Sequence, residues 1–247
     1  MSKELSRPGI SVFFPAFNDA KSIGKLVVDA LDVLPALTDD YEVIVVNDGS
    51  ADETDAVLQD LEKRHKNFRV VRHAANKGYG AALQSGFKTA SKDLIFYTDG
   101  DGQYDVRELP LLFAKLDDKT DVVNGYKIER ADGTRRKLLG GSYNKMAHFF
   151  FDLPIRDVDC DFRLIRKTAL DGVNLTSESG GICVELIYKL NQKSCNFAEI
   201  PVNHYVRLYG KSQFFTLGRI ARTLYDFFSL WLKLVVSRRV ENMERVK

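Results

Sequence analysis

Short apolar runs alternate with segments of helical period through the first part of the chain. Ile10 to Phe14 is a buried-strand run closed by the turn Pro15 to Asp19, and apolar positions then recur at helical spacing from Lys21 to Leu34. Tyr41 to Val46 reads as a second strand. It ends in the turn signal Asn47-Asp48-Gly49-Ser50 and is followed by a helix over Thr54 to Arg64. The scheme repeats with a strand at Phe68 to Arg72, a helix at Gly80 to Ser91, and a strand at Asp93 to Thr98 that stops at Asp99-Gly100-Asp101-Gly102. Successive strand–helix units predict an α/β fold: a mostly parallel, Rossmann-like sheet with right-handed crossovers and helices on both faces. Ligands of such sheets bind beyond the carboxyl ends of the strands, where Asn18, Asp48 and Asp99 fall.

Beyond Val123 the pattern loosens. It predicts a helix near Leu138 to Phe151, an irregular stretch over Asp157 to Arg163, a helix near Ile182 to Leu190 and a strand near Phe197 to Tyr205. No linker or repeat marks a second domain, so residues 1–213 read as one domain and 214–247 as an appended segment. In that segment Phe214, Phe215, Leu217, Ile220, Ala221, Leu224, Phe227, Phe228, Trp231, Leu232, Leu234 and Val235 recur at near-helical spacing. Seven basic residues, among them Arg219, Arg222, Lys233, Arg238 and Arg239, stand against three acidic ones, a local net charge of +4. An amphipathic helix with an aromatic face and flanking cations suits a membrane interface. The same face also suits packing on the domain or in a dimer, which leaves a homo-oligomer open.

The whole chain of 247 residues carries only +2, so no molecular field points to nucleic acid. Cys160, Cys183 and Cys195 form neither a C-x-x-C pair nor an even set, which fits a reducing cytoplasm. Met1 to Gly9 lacks the apolar run of a signal peptide, and no charge-free apolar run reaches the ~18 to 20 residues that cross a bilayer. The expected location is cytoplasmic, peripheral on the cytoplasmic face of a membrane.

Tyr97-Thr98-Asp99-Gly100-Asp101-Gly102-Gln103 carries the strongest chemical signal. Two carboxylates one residue apart, in a glycine-flanked loop after a strand, can turn together with the Gln103 carbonyl oxygen toward one hard cation, Mg²⁺ or Mn²⁺, that bridges a diphosphate. An isolated Asp-x-Asp is also a common solvated turn. Asp48 can accept hydrogen bonds from a base or ribose, although an Asx turn explains Asn47 to Ser50 as well. Gly78-x-Gly80 opens a helix after a strand as dinucleotide folds do, but Leu83 stands where a third small residue is needed.

These segments, in this order, resemble family 2 glycosyltransferases with the glycosyltransferase A fold, in the branch of dolichyl- and polyprenyl-phosphate sugar synthases. The likeness runs from Ile10 to Ser212 through Pro15 to Asp19, Asn47 to Ser50, Asn76 to Gly80, Asp99 to Gln103, Asp157 to Arg163, and Glu199-Ile200-Pro201-Val202 with Arg207-x-x-Gly210-Lys211-Ser212. It implies that 1–213 is the catalytic domain and 214–247 the membrane-interface helix. By the same resemblance Pro15, Phe17, Asp19 and Asp48 contact the nucleotide of a UDP- or GDP-linked sugar, while Asp99, Asp101 and Gln103 hold the metal and diphosphate. Lys77, Gly78, Gly100, Lys127, Arg136, Arg207 and Lys211 complete the binding set. Asp99, Asp101, Asp157 and Arg163 are the catalytic candidates.

Three departures stand out. Asp19 replaces the more usual glutamate, Lys127 stands where arginine is frequent, and Asp161 replaces the usual glycine before Phe162-Arg163. The Gln-x-x-Arg-Trp signature of processive synthases is absent, which favours transfer of a single sugar. Arg130, Arg135, Arg136, Arg163, Arg207 and Lys211 could form an anion site for an acceptor phosphate. The expected reaction is inverting, metal-dependent transfer to a polyprenyl phosphate, whose oxygen is already anionic and requires no base. A saccharide hydroxyl as acceptor requires one, with Asp157, Asp159 or Asp161 as candidates. A catalytically silent scaffold of the same fold is the further alternative.

Overall fold

A computed structural model of the chain describes residues 7–128, 134–207, 209 and 217–237, with backbone alone over 134–139 and 217–222. The described strands are β1 (Ile10–Ala16), β2 (Tyr41–Asn47), β3 (Phe68–Arg72), β4 (Leu94–Thr98), β5 (Val122–Lys127), β6 (Phe162–Arg166) and β7 (Phe197–Val202). They form one sheet in the order β3-β2-β1-β4-β6-β5-β7. Parallel pairing joins β1 to β2 and β4, β2 to β3, and β5 to β7, whereas β6 runs antiparallel between β4 and β5. The chain winds outward from β1 to β3 and then returns to the other side of β1 as β4. The carboxyl ends of β1 and β4 therefore flank a topological switch point, the usual ligand crevice of such a sheet.

The helices are α1 (Ile23–Val33), α2 (Thr54–Arg64), α3 (Tyr79–Thr89), α4 (Leu109–Lys115), α5 (Thr134–Phe151), α6 (Ile182–Gln192) and α7 (Leu217–Trp231), the last continued by a π-helical turn at Leu232–Val236. β1 is apolar at successive positions because both of its faces are covered. Val12 and Phe14 pack in one cluster with Ile23, Leu26 and Val27 of α1, Leu58 of α2 and Leu109 of α4, while Phe13 joins Leu83 of α3 and Ile182 and Leu186 of α6. The outer face of α6, through Val184, Ile187 and Tyr188, meets Ala147 and Phe151 of α5 and Phe227 and Leu230 of α7. A helix enclosed between sheet and helices is buried on most sides, as α6 is from Ile182 to Tyr188 with Glu185 among its buried residues. The C-terminal helix is thus seated on the domain by one face, and Leu224, Tyr225, Phe228 and Leu232 are exposed on the other.

Apolar periodicity locates β1 to β4 and α1 to α3 to within a residue or two, but it does not reveal β5, α4 or β6. Asn124 of β5 and Arg163 of β6 are register partners and are fully buried. Two polar residues inside central strands break the apolar run that marks a buried strand, so Asp157 to Arg163 looks irregular although its end is β6. The Arg163 guanidinium is satisfied within the sheet: Nε donates to Asn124 Oδ1 at 2.5 Å, Nη1 to Asp161 Oδ1 at 3.0 Å and to the Tyr97 hydroxyl, and Nη2 to the Val158 carbonyl. β7 stops at Val202 instead of reaching Tyr205.

Candidate active site

The turns after β1 and β2 are tied to each other. Asn18, in the left-handed region at φ 57°, accepts from Ala51 N at 2.8 Å through its side chain, Asn18 N donates to Ser50 Oγ at 3.0 Å, and Asp19 N donates to Thr54 Oγ1 at 3.0 Å. Asn is among the few residues that adopt this backbone without large cost. Asp19 turns its carboxylate back on its own loop, where Oδ2 accepts from Phe17 N at 3.1 Å. Burial pushes the Asp19 carboxyl up from the usual 3.8 to about 6, against the lowering effects of the Phe17 hydrogen bond and of Arg207.

Asp99 follows directly on β4, and the turn beyond it is fixed to β1 and α1. Gly100 N donates to the Pro15 carbonyl at 3.2 Å, and Ser22 Oγ donates to the Gly100 carbonyl at 2.8 Å. Tyr79, the first residue of α3, donates its hydroxyl to Asp99 Oδ1 at 2.7 Å. Burial and the neighbouring Asp161 and Asp101 carboxylates hold Asp99 well above the usual carboxylate range. Gln103 N donates to Asp101 Oδ1 at 3.0 Å, and the Gln103 side-chain NH₂ donates to the Tyr205 carbonyl at 3.0 Å.

The segment after β7 closes on these turns. Tyr205 N donates to the Gln103 carbonyl at 2.8 Å, and Arg207 reaches both carboxylate turns, with Nη2 3.2 Å from Asp19 Oδ1 and Nη1 3.6 Å from Asp101 Oδ2. Arg207 therefore lies on the carboxylates of the expected donor side, at the strand ends where the acceptor phosphate is expected to approach. Two opposite charges on separate loops outweigh sequence proximity to the C-terminal helix in setting where the guanidinium sits.

Other expected residues take internal partners. Arg163 is enclosed by the bonds described above and is not open to an acceptor phosphate. Its counter-ion is Asp161, the residue that stands in place of glycine, and Asp161 also accepts from Cys183 Sγ at 3.0 Å. Lys127 donates to the Asp159 carbonyl at 2.6 Å and lies 3.6 Å from Asp157 Oδ2, with both side chains nearly buried. Asp48 accepts from Lys77 N and Gly78 N at 2.9 Å each and from His73 Nδ1 at 2.6 Å, so its carboxylate binds a loop of its own chain.

The glycines of Gly78-x-Gly80 answer to a protein neighbour. Gly78 has φ +99°, and a Cβ there would stand 2.5 Å from the Glu178 carbonyl oxygen; at Gly80 it would stand 2.2 Å from that of Ser177. Gly80 N donates to the Glu178 carbonyl at 2.9 Å, so close backbone approach is what requires both positions. That loop is in turn held by the buried Glu185, which accepts from Thr176 N and Ser177 N. Lys77 is exposed, Pro15 is buried within β1, and Phe17 is half-buried. Arg130, Lys211 and the side chains of Arg135 and Arg136 lie outside the described residues. His73, Tyr79 and Tyr205 hold the site together without being candidate site residues from sequence, since a lone His, Tyr or backbone carbonyl acceptor has no motif until its partner is known.

Among the described residues no group of three His, Cys, Asp or Glu side chains stands ready to enclose a metal ion. Asp99 and Asp101 supply two carboxylates, and the crowding that raises Asp99 is the kind that a divalent cation relieves. Hard cations of the Mg²⁺ class commonly take one or two protein carboxylates and complete their shell with substrate phosphate and water, so the donor set fits.

The family model described as Glycosyl transferase family 2 matches residues 11–173. Undecaprenyl-phosphate 4-deoxy-4-formamido-L-arabinose transferase of Enterobacter sp. (strain 638) is 29% identical over 219 residues, 88% of this chain and 65% of that protein's length. Glucosyl-3-phosphoglycerate synthase from Mycobacterium tuberculosis, solved with Mn²⁺, UDP and phosphoglyceric acid, matches with a TM-score of 0.68 at 18% identity, covering 89% of this chain and 78% of that one. The same enzyme solved with Mg²⁺ and UDP matches at 0.63 and 19% identity, covering 89% and 79%. The family model spans β1 through β6, including every strand end at which Asp19, Asp48, Asp99 and Asp101 are held, and with it this chain belongs to glycosyl transferase family 2 and has the glycosyltransferase A fold.

Proposed function

We propose that this chain transfers one sugar, with inversion, from a nucleoside-diphosphate sugar to a polyprenyl phosphate at a membrane surface. The observation that carries the reading is the convergence of Asp99, Asp101 and Asp19 at the carboxyl ends of β4 and β1 with Arg207 laid across them. Asp99 and Asp101 would hold Mg²⁺ or Mn²⁺, which would supply Lewis-acid stabilisation of the departing diphosphate. The chain's own part is positional. Tyr79 orients Asp99, the Phe17 amide and Arg207 orient Asp19, and the Gln103–Tyr205 bonds keep the segment after β7 over the site.

An acceptor that is already anionic requires no general base. Two of the three groups that a hydroxyl acceptor could use as base are engaged as counter-ions: Asp161 faces Arg163 and Asp157 faces Lys127. The name of the Enterobacter relative, an undecaprenyl-phosphate transferase, supports the same acceptor class.

Residues 1–213 act as the catalytic unit and 214–247 as its attachment to the cytoplasmic face of a membrane. No described helix is long and apolar enough to cross a bilayer. Instead α5 and α7 expose aromatic residues side by side: Phe149 is 84% and Tyr225 74% exposed, and Phe150, next to Phe149, stacks edge-on with Phe228 at 5.4 Å. Aromatic and aliphatic side chains on a helix pair beside a +4 segment suit the headgroup region of an anionic bilayer.

The test is transfer of radiolabelled sugar from UDP- and GDP-sugars with Mn²⁺ into an organic-extractable product in the presence of undecaprenyl or dolichyl phosphate. Labelling of water-soluble saccharides alone would replace the lipid acceptor by a hydroxyl one.

A further inference from the structure

The side chain of His73 lies between two elements of the site and belongs to neither of its carboxylate turns. Its backbone extends the β2–β3 pairing by one step, with His73 N donating to the Asn47 carbonyl at 2.9 Å. The ring is nearly buried, with 6% of the side chain exposed against 4% for Asp48. Nδ1 meets Asp48 Oδ1 at 2.6 Å, and Nε2 meets Ser85 Oγ of α3 at 2.9 Å. The Asp48 carboxylate can only accept, so Nδ1 carries the proton of that bond.

Asp48 is the point at which three segments are joined. Besides His73 it receives Lys77 N and Gly78 N at 2.9 Å each, while its own amide donates to the Ala16 carbonyl at 2.9 Å. One residue past this turn, Tyr79 donates to Asp99 Oδ1 at 2.7 Å. A continuous set of bonds therefore runs from His73 through Asp48 and the Lys77–Gly78 turn to Tyr79 and Asp99. A buried carboxylate holds its place only while its lone pairs are matched, and His73 provides the one side-chain donor among these three.

We propose that His73 is a positioning residue for the donor site, acting through Asp48 to fix the turn that places Tyr79 on Asp99. This inference rests on the reading that Asp99 and Asp101 receive the donor diphosphate. It makes Asp48 an anchor of the donor loop.

Two near-isosteric replacements separate the two ring nitrogens. His73→Asn puts an amide NH₂ near the Nδ1 position and keeps the bond to Asp48; His73→Gln puts one near Nε2, keeps Ser85 and leaves Asp48 without its donor. Binding of UDP and GDP with Mn²⁺ by calorimetry, Michaelis titration of donor and acceptor, and amide hydrogen exchange are measured on the full chain. The Gln variant is expected to lose roughly tenfold or more in nucleotide affinity and to raise the donor KM by as much, with the acceptor KM unchanged. The Asn variant should stay within about threefold of wild type. In the Gln variant alone, the amides of Lys77 and Gly78 should exchange faster.

Unchanged donor affinity in the Gln variant overturns the proposal, as does equal loss in both variants in step with their melting temperatures. Should the Gln variant not fold, His73→Leu, which keeps the bulk and removes both ring nitrogens, takes its place with the same expectations. A wild-type protein that binds neither nucleotide and transfers no sugar overturns the donor reading, and the exchange rates then still decide whether His73 fixes the turn.

Discussion

Arg207 and Asp19 meet across 188 positions of sequence, Nη2 to Oδ1 at 3.2 Å, and the same guanidinium lies 3.6 Å from Asp101. A guanidinium thus lies against two of the carboxylates proposed to receive the metal and the diphosphate. Arg207→Ala should tighten Mn²⁺ binding in the absence of nucleotide by about three- to tenfold, since a competing charge of partly exposed character is worth roughly 1 kcal/mol. Transfer should nevertheless fall, because the donor loses a cationic contact. Isothermal titration with Mn²⁺ alone checks the first effect; weaker Mn²⁺ binding by the variant would remove Arg207 from the competition.

Asp101→Ala is expected to leave the fold intact, because Asp101 lies in a turn that remains anchored through the Gly100–Pro15 and Ser22–Gly100 bonds. Transfer should drop by roughly 10² to 10³, the usual cost of one stabilising group at a developing charge. Chelator should reproduce this loss in the wild type. Circular dichroism beside a radiolabel assay separates loss of activity from loss of structure.

Asp161→Asn addresses the buried ion pair. It leaves the Arg163 charge enclosed without its counter-ion, which typically costs about 3 to 5 kcal/mol. For a chain of this length that corresponds to a fall in melting temperature of roughly 6 to 20 °C. Replacing both partners, as in Asp161→Asn with Arg163→Met, should recover a substantial share of the loss. Calorimetric melts of the two single variants and the double variant form the cycle, and additive losses would show that the pair is not coupled.

Asp19 gives a pH-dependent expectation. Its folded pKa of about 6 lies above the usual 3.8, so the native state binds the proton more tightly. This contribution to stability is present at pH below 3.8 and is lost as pH rises toward 6. The lost amount is roughly 2 to 3 kcal/mol. Asp19→Asn removes the titration, so its melting temperature relative to wild type should climb between pH 4 and 6 and level off above. A difference that is flat over that range would contradict the burial of this carboxyl.

Local sequence determined the first half of the molecule. β1 to β4 and the helices between them follow from apolar runs broken at regular intervals by turn residues, and a parallel sheet places the ends of such strands along one edge whatever the side chains there do. The Asp99-x-Asp101 pair and the Asp19 and Asp48 turns were legible for that reason, as was the amphipathic C-terminal helix. Only the tertiary structure decided what those groups touch. β5 and β6 escaped because Asn124 and Arg163 satisfy each other inside the sheet, a compensation between residues 39 apart that no local pattern contains. Arg207 pairs with Asp19 and Asp101, Asp48 accepts from His73 and from the Lys77–Gly78 turn, and Gly78 and Gly80 make room for Glu178 and Ser177. Each of these outcomes depends on charge, hydrogen bonds or van der Waals space shared with a partner distant in sequence, and such partners are chosen only when the sheet and its helices have brought them together.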